Sequence, residues 1–162
     1  MSKHHRNRNW APAPQPLPED AHVIDNHTHV ASVVPFSQAM SHEAMEKGQG
    51  EVPVYSVDEL LEQAQKVGVE GVIDCGCELP NLMTAIDMAR EHPGTVHAAI
   101  AIHPNEAVLH GHRGAPGPDG LPIKYKPWHD IPFDEAMAEV HRLATTYPNQ
   151  VVAIGETGMD LF

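Results

Sequence analysis

The chain has 162 residues, with 10 Lys and Arg against 22 Asp and Glu, for a formal net charge of −12 with histidine neutral. That length suits one domain with its own core, whereas a complete (β/α)8 barrel takes roughly 250 residues. The acidic balance argues against a general nucleic-acid binder with a basic stripe, though not against an enzyme acting on phosphodiesters through bound metals, and no run of about 18 apolar residues offers a transmembrane helix.

Residues 1–20 read as a disordered leader. Ala11-Pro12-Ala13-Pro14-Gln15-Pro16-Leu17-Pro18 can form neither a helix nor a central strand. Lys3, Arg6 and Arg8 are not followed by an apolar stretch, so no secretory signal is expected. Residues 21–162 read as one folded unit that opens on a short apolar strand, His22–Asp25. A long linker, 31–55, follows it.

Ser56-Val57-Asp58-Glu59 is a capping box, with serine and glutamate placed to bond each other's backbone N–H. Val57, Leu60, Leu61, Ala64 and Val67 then share one helical face, and Gly68 supplies the stop. Val69–Cys75 is the second strand. Asn81 is the expected cap of a second helix carrying Leu82, Ala85, Ile86 and Ala89, ended by His92-Pro93-Gly94. Val96–Ile102 is the third strand, and a second long linker, 104–133, follows it. Asp134 is the expected cap of a third helix, closed by Tyr147-Pro148. Val151–Ile154 is the fourth strand. The order β-α-β-α-β-α-β predicts a parallel sheet with right-handed crossovers. The second and third strands are largely apolar on both faces, as buried parallel strands are.

Both long linkers leave the ends of strands, while the turns entering the later strands are short. Parallel α/β folds place their sites on that face, and chemistry-bearing residues gather there. His27 and His29 stand at i and i+2 at the end of the first strand, so both imidazoles can reach one divalent ion from one side. Asp25 shares their parity and is a candidate for fixing a tautomer from behind. His103 ends the third strand, in reach of a substrate oxygen. Glu156 closes the fourth strand between Gly155 and Gly158, where a carboxylate can bridge two ions. Asp160 is a further acid near it. His110 and His112 sit in the long linker and read as solvated. His42, His92, His97, His129 and His141 have no assignable partner. Cys75 and Cys77 are the two cysteines. They stand too close for an easy disulfide and lack the second pair of a closed zinc site, so they read as reduced cytoplasmic thiols.

Three spaced elements carry a family resemblance: Asp25-Asn26-His27-Thr28-His29, Ile102-His103-Pro104, and Gly155-Glu156-Thr157-Gly158-Met159-Asp160. With Gly71-Val72-Ile73-Asp74-Cys75-Gly76 on the second strand, they resemble the TatD family of metal-dependent hydrolases over residues 22–162. The resemblance implies a TIM-like (β/α)8 barrel, present here as about its first four βα units. It also implies hydrolysis of phosphoesters, typically DNA, with two divalent ions such as Mg, Mn or Zn. His27 and His29 would ligate one ion, Glu156 would bridge two, and His103 would line the substrate pocket, Glu156 and His103 being the catalytic residues. The family takes further ligands from later strands, so weak metal binding and little or no turnover are expected of this chain alone. Its two open sheet edges invite self-association.

Two rival readings remain. A PHP-type phosphoesterase or an amidohydrolase also begins with His-x-His on a first strand, although amidohydrolases commonly carry a lysine at the fourth. A non-catalytic fragment or binding module is the other.

Overall fold

A computed structural model describes residues 16–18, 20–49, 52–112, 114 and 125–158. Most of the leader, the stretch 115–124 and Asp160 lie outside the described residues. Within them the order is β1 (Val23–Thr28), α1 (Val30–Glu46), α2 (Val57–Lys66), β2 (Val69–Gly76), α3 (Leu79–Glu91), β3 (Val96–Ile100), α4 (Pro104–Ala107), a 3-10 turn (Pro127–Asp130), α5 (Phe133–Thr146) and β4 (Val151–Ile154). The strands form one four-stranded sheet in the order β1-β2-β3-β4, parallel throughout. This α/β architecture is consistent with part of a TIM-like barrel. Among the described residues the sheet does not close, and β1 and β4 are its edges.

Strand alternation decides what the sheet covers. Val72, Asp74 and Gly76 of β2 are buried, while Ile73 and Cys75 between them are only partly so. Val96, Ala98 and Ile100 of β3 join Val72 in a core with Leu82 and Ile86 of α3 and Val140 of α5. The edges are far less covered, with Ile24 57 % exposed and Ile154 53 % exposed.

Two helix starts differ from the sequence reading. Helix α3 begins at Leu79 with Glu78 at its cap, so Asn81 lies within the first turn. Pro80 accounts for the shift, because its fixed φ suits a first turn. Helix α5 is capped by Pro132, and Asp134 sits in the first turn beside Glu135, where carboxylates favour the helix dipole. The capping box of α2 is formed as read: Glu59 N–H donates to Ser56 Oγ at 3.2 Å, and Ser56 N–H donates to Glu59 Oε2 at 2.8 Å.

The larger correction is α1. The stretch read as a 31–55 linker holds a helix of 17 residues with Pro35 inside it. Its buried positions are Val30, Ser37, Ser41 and Ala44. They share a helical face, but serine and alanine give that face no hydrophobic signal. Pro35 within the helix forfeits one backbone hydrogen bond, which further weakens the local helix signal.

Close approaches explain two glycines. A Cβ on Gly76 would stand 2.7 Å from Asn81 O, so the turn from β2 into α3 closes only without a side chain. Gly68 has φ +95° and would meet Leu17 Cβ at 3.0 Å. Leu17 N–H donates to Val67 O at 2.9 Å, tying the last part of the leader to the end of α2.

Among the described residues no helix is long and apolar enough to cross a membrane.

Candidate metal centre

The pairing of β1 with β2 slips between Asp25 and Thr28, where β1 carries an extra residue. Such a bulge bends the strand and re-aims its side chains. His27 lies within it. The Asp25 carboxylate accepts the backbone N–H of His27 at 3.2 Å, so Asp25 steadies the bulge rather than an imidazole tautomer. Across the sheet, Gly155 N–H donates to Ile100 O at 3.3 Å and carries Glu156 past the end of β4.

These two strand ends meet. One ligand atom each from His27, His29 and Glu156 lies within 4.8 Å of the others. The His27 and His29 ring centroids are 5.3 Å apart, nearly perpendicular. Glu156 Oε1 contacts His27 Nε2 directly, and Oε2 lies 3.2 Å from His103 Nε2. The carboxylate thus joins residues from the ends of β1, β3 and β4.

Hydrogen bonds fix two tautomers. His29 Nδ1–H donates to Cys75 O at 3.1 Å, which leaves the Nε2 lone pair for a cation. His103 follows β3 as the cap of α4, and its Nδ1 accepts the Asn105 N–H at 3.2 Å. Neutral His103 therefore carries its proton on Nε2, and that N–H donates to Glu156 Oε2. His103 is built as a hydrogen-bond donor, distinct from the lone-pair donors of the cluster.

Cys77, at the turn after β2, reads from the sequence only as a reduced thiol, yet it joins the cluster. Its Sγ–H donates to Glu156 Oε2 at 3.4 Å. Burial, then the hydrogen bond to Glu156 and its negative charge, pushes the Cys77 thiol up to about 12. Cys75 is also raised, first by burial and then by the Glu156 charge. The available signal was position: Cys77 stands where the second strand ends, on the face already marked by His29 and His103. Asp74, beneath them, is 2 % exposed and accepts the Ala31 N–H at 3.4 Å. It thereby caps α1, whose own cap residue His29 makes no side-chain cap bond. Burial raises the Asp74 carboxyl above its ordinary value, against the lowering by the Ala31 and Val30 N–H groups.

His129 and His110, read as unassigned and solvated, are 0 % and 1 % exposed. His129 Nδ1 accepts the Lys126 N–H at 3.2 Å, and its Nε2–H donates to Glu106 Oε2 at 2.6 Å. His110 Nδ1–H donates to Ile131 O at 2.9 Å. These bonds fasten the two described ends of the long linker to each other, beside α4 and His103. Asp160 lies outside the described residues.

An imidazole pair and a carboxylate at the C-terminal ends of parallel strands are suited to a divalent cation of borderline hardness. Residues 24–162 match the family described as TatD related DNase. The chain belongs to that family, which in general comprises metal-dependent hydrolases of the DNase type. No curated protein matches the chain.

Proposed function

We propose that this chain is a divalent-metal-dependent hydrolase of phosphoester bonds, a TatD-like deoxyribonuclease. The observation that carries the reading is the convergence of His27, His29 and Glu156 ligand atoms within 4.8 Å. Three protein donors with an open position are the pattern of a catalytic rather than a structural centre. His27, His29 and Glu156 would hold the ion, and Glu156, with one oxygen toward His27 and the other toward His103, would serve a second. Bound Mg2+, Mn2+ or Zn2+ would supply Lewis acidity and lower the pKa of attacking water.

The residues themselves do the rest. His29 is held in register by Cys75 O, so its Nε2 needs no reorientation. His103 presents its Nε2–H at the carboxylate, and with substrate bound it would turn that donor to a phosphate oxygen. Cys77 holds Glu156 Oε2 from the β2 side. An acidic protein binds an anionic substrate here because cation charge dominates the local field.

Two cytoplasmic thiols kept reduced fit this reading. The uncovered edge strands, with Ile24, Val152 and Ile154 each more than half exposed, support self-association, which sedimentation at rising concentration would register.

The test is cleavage of an end-labelled DNA oligonucleotide with added Mn2+ or Mg2+. Slow cleavage that needs the metal and disappears in His27→Ala and Glu156→Gln is the expected result. Cleavage indifferent to chelator or to both substitutions would contradict it. Parallel assay of a cyclic amide separates the amidohydrolase reading.

A further inference from the structure

A cavity of about 350 Å3 lies beside the metal-ligating cluster, between the start of α1 and the start of α3, over the end of β2. His29 belongs to both. That volume is in the range of small-molecule sites. Ser32 and Pro35 of α1 form one wall, Asn81 and Thr84 of α3 the other, and Asp74 and Cys77 lie toward β2.

The lining selects its ligand by charge. Asp74 and Glu78 both line the cavity, and among the described residues no lysine or arginine does. Lys126, outside the lining, pairs with Glu78 at 2.5 Å, which leaves Asp74 as the charge at the floor. Phosphate is therefore disfavoured inside, one residue away from a cluster suited to hold it through a cation. Besides the Asp74 carboxylate, Ser32, Asn81 and Thr84 add further acceptor oxygens. Thr84 Oγ1–H is directed to Pro80 O at 3.4 Å, which leaves the hydroxyl oxygen to accept. Asn81 offers an amide, the group that pairs edge-on with adenine. Pro35 and Cys77 add apolar surface for a flat ring. The ligand that matches is uncharged, planar and carries N–H donors.

We propose that this cavity receives the nucleobase next to the scissile phosphate and prefers a base with an exocyclic amine. The inference rests on the phosphodiester reading of the neighbouring cluster. A phosphate beside His29 brings its adjoining nucleoside to a cavity that shares that residue. Cytosine and adenine present an amine to the acceptors, whereas thymine presents a carbonyl and a methyl group at the corresponding position.

Nucleosides without phosphate test the base site independently of any metal. The full chain, labelled with 15N, is titrated with deoxycytidine and with thymidine while amide shifts are followed. Saturable shifts at Ser32, Cys77, Asn81 and Thr84 are expected, with deoxycytidine about tenfold tighter, the effect of one hydrogen bond lost at a desolvated acceptor. Thr84→Trp and Ser32→Trp, each at an exposed helix position, should fill the cavity and remove the shifts. No saturable shift, equal affinity for the two nucleosides, or unchanged binding in both tryptophan variants would overturn the proposal. Mn2+ titration of the same samples reads the cluster separately. Metal binding without nucleoside shifts overturns the base site alone. Nucleoside binding without metal binding supports the base site and overturns the phosphodiester reading.

Discussion

The central strands and the edge strands of this sheet do different work. Val96, Ala98 and Ile100 of β3 are at most 1 % exposed, packed under α3 and α5. Ile24 of β1 and Val152 and Ile154 of β4 are more than half exposed. Yet His27, His29 and Glu156 come from the ends of those edge strands. Stability is concentrated in the centre of the sheet and the candidate chemistry at its margins. Substitutions should therefore separate cleanly into those that unfold the chain and those that silence the site.

The largest effect belongs to the centre. Ile86→Ala opens a cavity at a fully buried position between α3 and the sheet, and should lose about 2–5 kcal/mol in urea unfolding. His27→Ala, at a side chain 56 % exposed, should shift the same transition by no more than about 0.5 kcal/mol. Equal losses at the two positions would erase the division.

Next comes the thiol beside the candidate carboxylate. With Cys77 pushed up to about 12, its iodoacetamide labelling in chelator should stay slow at pH 8 and rise only as pH approaches that value. Glu156→Gln removes the anionic neighbour and should speed labelling several-fold. Peptide mass spectrometry separates Cys77 from Cys75, and an unchanged rate would mean the two side chains do not meet.

A smaller effect is expected at the cap of α2. Ser56→Ala removes the acceptor for Glu59 N–H and should lose about 1 kcal/mol without altering metal binding. The smallest concerns Asp74. Burial raises its folded pKa, so the native state holds the proton more tightly than the unfolded chain does. That contribution to stability is present at low pH and is lost as pH rises through the folded value. Asp74→Asn can still accept the Ala31 N–H, so it should melt slightly higher than wild type at pH 7. The difference should shrink on acidification toward the ordinary aspartate range.

How much was legible follows from the same division. Val69–Cys75 and Val96–Ile102 stood out because buried parallel strands are largely apolar, and Ser56 with Glu59 marked α2 because a capping box is local chemistry. Helix α1 was hidden because its inward positions are Ser37, Ser41 and Ala44, which fill narrow space without hydrophobic contrast. His27, His29, His103 and Glu156 could be singled out by their place at strand ends. The Cys77 contact with Glu156 could not, since it joins residues 79 positions apart in the chain. Nor could the burial of His110 and His129, which arises from distant parts of one long linker packing together.

The central claim is that His27, His29 and Glu156 act together on one cation. Calorimetric titration of the metal-stripped full chain with Mn2+ tests it most directly, alongside His27→Ala and Glu156→Gln of unchanged melting temperature. Saturable binding in the wild type, weakened at least about tenfold in both variants, is the result this account requires. Binding of equal strength in all three proteins would contradict it.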